Sequence, residues 1–394
     1  MTLKASTRCV HFPANGDPYG AIAPPIYQTA TFRQPGALEF GDYDYTRSGN
    51  PTRALLERQL AELEGGSYAC AFASGMAAIT ALTRVLNSGD EVIAGNDLYG
   101  GTVRLLEKVL TRQAISVRYV DSTDLNAVKA ALSRRTKLIL IETPGNPLLR
   151  ISDIRGLSEI ASDANGLLAV DNSMLSPILQ RPLPLGADVV IHSATKFLGG
   201  HSDVTAGALV TNNQTLYQQI AFQQNAEGAA LSPFESWLLL RGLKTLALRV
   251  ERQNDSALRI ARFLEAQDGI REVHYPGLAN DAGHEVHCRQ SSGAGSVMSF
   301  TTGDPDVSRK LVEATKLFTI AVSFGSIGST ISLPGHMSHA SIPDHLRAQL
   351  APPIDLVRLS VGIEDVEDLI ADLRAALTIA MDAHSEVDVV ALST

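Results

Sequence analysis

A primary amine placed for imine chemistry stands at Lys196, in Ser193-Ala194-Thr195-Lys196, directly after the apolar run Val189-Val190-Ile191 and ahead of Gly199-Gly200. Imine formation with an aldehyde needs a neutral amine, which partial burial and nearby positive charge supply by lowering the lysine pKa. The hydroxyls of Ser193 and Thr195 fall on one side of an extended segment, where they could reach a phosphate. An isolated SATK is more often a surface lysine at a strand end, so its neighbours decide its meaning. Asp171 closes the run Leu167-Leu168-Ala169-Val170. A carboxylate there could pair with a protonated pyridine nitrogen and keep a ring cationic, able to accept the electrons of a bond broken at a substrate Cα. Taken alone, Asp171-Asn172-Ser173 reads better as a helix N-cap. Ser74-Gly75-Met76-Ala77-Ala78 opens a helical pattern whose free N–H groups and positive dipole end suit a phosphate. Tyr99, in Asp97-Leu98-Tyr99-Gly100-Gly101, could lay a flat ring over a bound group or simply pack.

These residues need a common scaffold, and the apolar patterning supplies one. Runs near Val92, Val117, Ile139, Leu168 and Val190 alternate with longer helical patterns, and most of them lack polar alternation. That describes parallel strands buried on both faces in a doubly wound α/β sheet, whose ligands gather beyond the strands' carboxyl ends. Leu56, Leu60 and Leu63 followed by Gly65-Gly66 mark an amphipathic helix with a glycine stop. Beyond Trp237 and Arg241 a long helical pattern bridges into a second unit, in which GSVMSFTT and DLVRLSVG read as strands. A closing helix places Val366, Leu369, Ile370, Leu373 and Leu377 on one face, with the tail after Met381 expected at the surface. The opening stretch to about Gly41 is rich in Pro, Gly and Thr and reads as an extended arm lying on something else.

Bulk properties narrow the function. The chain has 394 residues, 45% hydrophobic and 19% charged, enough for two or three domains around a sizeable core. A net charge of -9 with no basic run disfavours nucleic acid and anionic membranes and points to small-molecule chemistry. Cys9, Cys70 and Cys288 lie far apart, so neither a disulfide framework nor a zinc knuckle is expected, and a reducing compartment fits. No window reaches the roughly 18 apolar residues of a membrane span. The start lacks a signal-peptide pattern. Cytoplasm is the default compartment, with plastid stroma open should a transit peptide have been removed. His336 and His339 have no third ligand, so packing or hydrogen bonding is expected of them rather than a metal. The glycine-rich stretch at Gly325 lacks the lysine of a nucleotide-binding loop.

Several strings occur together in one order: Tyr45-Thr46-Arg47-Ser48-Gly49-Asn50-Pro51-Thr52, Ser74-Gly75-Met76, Asp97-Leu98-Tyr99-Gly100-Gly101, Glu142-Thr143-Pro144-Gly145-Asn146-Pro147, Asp171-Asn172 and Ser193-Ala194-Thr195-Lys196. Nearly end to end, the chain resembles the Cys/Met-metabolism enzymes that depend on pyridoxal 5′-phosphate (PLP), the family of cystathionine synthases and lyases and methionine γ-lyase. The resemblance implies an aminotransferase-like fold of type I. It would have an arm over 1–50 that contacts a neighbouring subunit, a large PLP-binding domain over 51–245 and a smaller α+β domain over 246–394. By the same resemblance, Lys196 carries the cofactor as a Schiff base, and Gly75, Met76, Ser193 and Thr195 bind its phosphate. Tyr45 and Arg47 reach that phosphate from a neighbouring subunit, in a homotetramer of site-sharing dimers. Tyr99 stacks on the ring, Asp171 pairs with its nitrogen, and Asn146 lies near its phenolic oxygen. Arg358 and Ser323, with Tyr99, bind the substrate, Arg358 taking the α-carboxylate bidentately. Proton transfers fall to Lys196 and to Tyr99 or Tyr45.

Within the family the resemblance is nearest to plant-type β-lyases, in DNSMLSPILQRPLPLGADVVIHSATKF, QNAEGAALSPFESWLLLRGLKTLALRVE and SHASIP. Gly328 stands where many γ-type relatives carry Glu, and Gly145 replaces the usual Ser or Thr. The function implied is β-elimination of cystathionine to homocysteine, pyruvate and ammonia. Its rivals are γ-elimination or γ-synthesis within the family and, from another class, a PLP-binding sensor protein with little turnover.

Overall fold

A computed structural model describes residues 3–11, 17, 19–339 and 342–391. Part of the expected arm (1–2, 12–16 and 18) and Ala340 and Ser341 of the SHASIP stretch lie outside the described residues. Among the described residues, twelve strands form two sheets. The larger contains β1 (Tyr68–Phe72), β2 (Glu91–Gly95), β3 (Ser116–Val120), β4 (Thr136–Glu142), β5 (Leu167–Asp171), β6 (Val189–His192) and β7 (Gly207–Thr211), in the order β1-β7-β6-β5-β4-β2-β3. Strands β6, β5, β4, β2 and β3 run parallel, while β7 pairs antiparallel with both β1 and β6. The five parallel strands coincide with the five apolar runs. The two flanking strands β1 and β7 were not legible as strands, because YACAF and GALVT are short and made largely of small residues.

Both faces of this sheet are covered, which explains the missing alternation. On one face Phe72, Val92, Leu140, Ala169, Ile191 and Leu209 pack against the helix Gly75–Thr83 and its neighbours. On the other, Val190, Ala208 and Val210 meet Leu56 and Leu60 of the helix Pro51–Glu64. Ile139, Ile141, Leu168 and Val170 complete that second face under Leu157.

The helix Leu246–Glu265 leads to the smaller sheet, made of β8 (Glu272–His274), β9 (Val297–Thr301), β10 (Thr319–Ile320), β11 (Thr330–Ser332) and β12 (Leu356–Ser360), in the order β10-β11-β12-β9-β8. Met298, Phe300, Val357 and Leu359 form its core with Leu369 and Leu373. The last two belong to the closing helix, Val366–Ala391, which continues ten residues past the Met381 where a surface tail was expected. The opening stretch is also more ordered than an extended arm, with a helix at Ala5–Val10. It lies on the large unit: Gln59 donates to the Arg8 carbonyl at 2.5 Å, Tyr27 N–H to Thr52 Oγ1 at 3.0 Å, and Trp237 Nε1 to the Pro24 carbonyl at 3.0 Å.

Candidate active site

Strand β6 ends at His192, and the chain then turns: Lys196 N–H donates to the Ser193 carbonyl at 3.0 Å, so SATK is a turn and not the extended segment expected. Its hydroxyls therefore part company. Thr195 Oγ1 donates to the Ala206 carbonyl at 3.2 Å and accepts the Ala206 N–H at 2.9 Å, which locks the turn to the start of β7. Ser193 keeps its hydroxyl for the cavity. Lys196 Nζ hydrogen-bonds the hydroxyl of Ser323 and lies 4.8 Å from the ring centre of Phe324. Burial and then the Arg358 charge hold this amine down to about 8, against the opposing pull of Glu142 and Asp171.

Arg358 arrives from the smaller sheet by period-two alternation. Val357 and Leu359 point into the core, so Arg358 between them points out of it. It is 3% exposed. Its Nη1 donates to Asn146 Oδ1 at 2.9 Å and its Nη2 to the Ser323 carbonyl at 3.0 Å. Burial lowers this guanidinium to about 10, a value that keeps it charged at neutral pH. Ser323 thus takes the amine on its hydroxyl and the guanidinium on its carbonyl. It does so at φ 85°, a conformation that costs a non-glycine residue about 1–3 kcal/mol and persists only where the surroundings impose it. The Asn146 carbonyl in turn accepts from His339 Nε2 at 3.0 Å, while Ser338 donates to His339 Nδ1 at 2.9 Å. Burial and Arg358 push that imidazole down to about 4, so it is neutral. His339 therefore has the hydrogen-bonding role expected of it, directed at Asn146. Asn146 itself is committed through Oδ1 to Arg358, a partner the sequence did not suggest.

The carboxyl ends of β4 and β5 supply two acids. Asp171 receives the Ser173 N–H at 3.0 Å and the Ser173 hydroxyl. The alternative reading of Asp171 as a helix N-cap fails, since the next helix, Ser176–Leu179, is capped by Leu175. Burial pushes the Asp171 carboxyl up, opposed by Ser173 and by the charges of His192 and Lys196. Glu142, one strand over, is pushed well up by burial and by Asp171 itself. Glu142 Oε2 accepts the Tyr99 N–H at 2.9 Å and so fixes Tyr99, an exposed residue that lines the cavity. Glu142 was not singled out from sequence, although it closes the run KLILIE just as Asp171 closes LLAVD.

At the far end, Ser74 caps the helix Gly75–Thr83 by accepting the Ala77 N–H at 3.1 Å, which leaves the N–H groups of Gly75 and Met76 for an anion. A Cβ at Gly75 would stand 2.9 Å from Ser193 Cβ, so only glycine lets this helix start approach the SATK turn. Gly75, Met76, Tyr99, Asp171, Lys196 and Arg358 all line one cavity of about 490 Å³. A larger cleft of about 790 Å³ around Arg150 and Glu272 holds none of them. Among the described residues no group of three or more His, Cys, Asp or Glu could hold a metal ion.

Tyr45 and Arg47 are the exception to this convergence. They line a separate groove with Ala30, Gly228 and Ser232, where Arg47 Nη1 donates to the Asn225 carbonyl at 3.0 Å. The Gly145 departure has a local explanation: a Cβ there would fall 2.2 Å from Asp97 Oδ2, a carboxylate that accepts the Leu148 and Arg150 N–H groups at 3.3 Å.

Known proteins resemble this chain in sequence and fold. The sequence profile of the family described as "Cys/Met metabolism PLP-dependent enzyme" matches residues 6–378. The chain is 52% identical over 371 residues to the chloroplastic cystathionine β-lyase of Arabidopsis thaliana, covering 94% of this chain and 80% of that one. It is 48% identical over 358 residues to the cystathionine β-lyase of Lactococcus lactis subsp. cremoris, covering 91% and 94%. The solved structure of cystathionine γ-synthase from Xanthomonas oryzae pv. oryzae in complex with cystathionine superimposes with a TM-score of 0.94 at 42% identity, covering 97% of this chain and all of that one. With a fold type I architecture and a profile match along almost its whole length, the chain belongs to the Cys/Met metabolism PLP-dependent enzymes.

Proposed function

We propose that this enzyme is a cystathionine β-lyase, a carbon–sulfur lyase that cleaves L-cystathionine to homocysteine, pyruvate and ammonia. The observation that carries the reading is the junction at Ser323, where Lys196 and Arg358 meet on one residue. An amino acid whose α-carboxylate binds Arg358 has its Cα beside the Lys196 amine.

The residues present fit PLP. A glycine-only helix start faces the free hydroxyl of Ser193, a buried carboxylate waits at Asp171, and a depressed amine stands at Lys196. Gly75, Met76 and Ser193 would hold the phosphate, joined by Thr195 through the turn it locks and by Tyr45 and Arg47 of a second copy. Asp171 would hold the ring nitrogen, Tyr99 one ring face, and Asn146 the phenolic side through its remaining amide donor. When bound, PLP supplies an aldehyde for the amine and a cationic ring that accepts the electrons of a broken bond at Cα.

The chain's own residues do the rest. Arg358 holds the carboxylate by two parallel hydrogen bonds and fixes which Cα bond faces Lys196. Lys196 Nζ takes the Cα proton. The Cβ–S bond then breaks with its electron pair on sulfur, and the departing homocysteine thiolate takes a proton from Lys196 or from Tyr99 or Tyr45. One water completes the balance, releasing pyruvate and ammonia. Glu142 holds Tyr99 over the reacting centre. β-Cleavage is favoured over γ-cleavage by the open position at Gly328, where no atom lies within 4 Å of a Cβ and this residue itself places no acid toward the distal part of the substrate.

As part of the same proposal, the arm over 1–50 docks on a second copy, within a homotetramer of units divided at 51–245 and 246–394. The support is its exposed apolar side chains: Ile22 is 98%, Leu38 92% and Phe40 74% exposed. No helix among the described residues is long and apolar enough to cross a membrane. The compartment proposed is cytoplasm, or plastid stroma as for the chloroplastic relative. Product analysis on cystathionine tests the activity. Pyruvate with homocysteine is expected; 2-oxobutyrate with cysteine overturns the reading in favour of a γ-lyase.

A further inference from the structure

Across the large sheet from the cavity, a buried acid closes the helix Pro51–Glu64. Glu64 is 1% exposed, and an acid in a helix's last turn faces the negative end of the helix dipole. Burial and position both oppose its charge. What offsets them is a pair of donors on one oxygen: His192 Nε2–H at 2.5 Å and Asn172 Nδ2–H at 3.0 Å, both to Glu64 Oε1. Glu64 Oε2 and His192 Nδ1 have no hydrogen-bond partner among the described residues. Packing alone does not call for such a pair, since apolar side chains of similar volume fill a core at least as stably.

The location is specific. Val190 belongs to the core face beneath the helix Pro51–Glu64, so alternation puts His192 on that face too. Its chain neighbour Ile191 pairs with Asp171 across β5 and β6. Asn172 follows Asp171 directly and accepts Gln180 Nε2 at 3.1 Å, and that same amide donates at 2.8 Å to the carbonyl of Thr143, beside Glu142. One buried network therefore ties together the ends of the three strands that carry Glu142, Asp171 and Lys196. His192 also acts electrostatically on Asp171, in opposition to burial.

We propose that Glu64 and His192 are a positioning pair that holds the Asp171 carboxylate in place as a hydrogen-bond acceptor from the far side of the sheet. The proposal rests on reading Asp171 as the partner of the ring nitrogen. Neither residue touches the cavity, so both act through Asp171.

The test reconstitutes apoprotein of Glu64→Gln, His192→Gln and the control Asp171→Asn with PLP. The readouts are the visible spectrum of the bound cofactor, its dissociation constant and the thermal midpoint of the apoprotein. Asp171→Asn is expected to shift the spectrum and weaken binding. Glu64→Gln and His192→Gln are expected to shift it in the same direction and to weaken binding about tenfold, the size of one pK unit of lost charge coupling. If the two variants lower only the apoprotein midpoint, with spectrum and affinity unchanged while Asp171→Asn alters both, the pair is structural and the proposal falls. Should Asp171→Asn alter neither readout, the reading of Asp171 fails and takes the pair with it. If His192→Gln does not fold, Glu64→Gln, which keeps size and an acceptor oxygen, decides alone: wild-type spectrum and affinity overturn the proposal.

Discussion

The depressed Lys196 amine makes a quantitative prediction about how the apoprotein takes up PLP. At its ordinary value of 10.5 a lysine is neutral at pH 7 in about 0.03% of molecules; at about 8 the fraction is about 9%, roughly a 300-fold gain in reactive amine. The rate of Schiff-base formation, followed by its yellow absorbance after mixing apoprotein with PLP, should rise tenfold per pH unit below about 8 and level off above it. Arg358→Leu removes the cation that, after burial, does most to depress the amine, so the midpoint should move to higher pH. Lys196→Ala should show neither the yellow band nor turnover. The same shift has a stability consequence. Between about pH 8 and 10.5 the unfolded chain binds a proton on Lys196 that the folded chain does not, so apoprotein stability rises with pH across that window; the penalty is present in full below about 8. A rate still climbing with unit slope at pH 10 would refute the buried, Arg358-flanked amine, and an active Lys196→Ala variant would refute its role.

Three further outcomes are expected. Gly328→Glu should fold normally, since its Cβ meets nothing within 4 Å, and should raise the share of 2-oxobutyrate among the products; an unchanged product ratio removes Gly328 from the specificity argument. Gly145→Ser drives a Cβ to 2.2 Å from Asp97 Oδ2 and should destabilise by about 1–3 kcal/mol, read as a lower thermal midpoint, with a smaller effect when combined with Asp97→Ala. Mixed oligomers of Lys196→Ala and Arg47→Ala protomers, each inactive alone, should regain activity, because one site of each mixed pair then has both residues intact; no recovery would place Arg47's role within its own chain.

How much of this was legible follows from what carries each signal. The five parallel strands and the residues at their ends were readable because burial on both faces leaves unbroken apolar runs, and a polar residue that closes such a run stands at the ligand-binding rim. Asp171 and Lys196 came from that rule. Glu142 obeys it equally, yet was missed because its hydrogen bond goes to the backbone of Tyr99, and backbone partners leave no residue type to read. The role of Arg358 required the family resemblance, as nothing local in Val357-Arg358-Leu359 distinguishes a buried guanidinium from an exposed one. Its partners Asn146 and Ser323 come from segments 212 and 35 positions away, and no periodicity links them.

The misreadings share a cause of another kind. SATK was expected to be extended and Asp171 to read alone as an N-cap, each from local propensity. In both places a specific hydrogen bond wins: the Ala206 carbonyl captures Thr195 at the turn, while Ser173, held by the Ser193 N–H at 2.6 Å, turns both its donors on Asp171. Ser193 N–H to Ser173 Oγ, and Ser173 to Asp171, form a continuous hydrogen-bonded path from the turn that carries Lys196 to the carboxylate proposed for the ring nitrogen. The strand ends that the sequence marks as separate candidates are thus one mechanical unit, which is why displacing any one of them should be felt at the others.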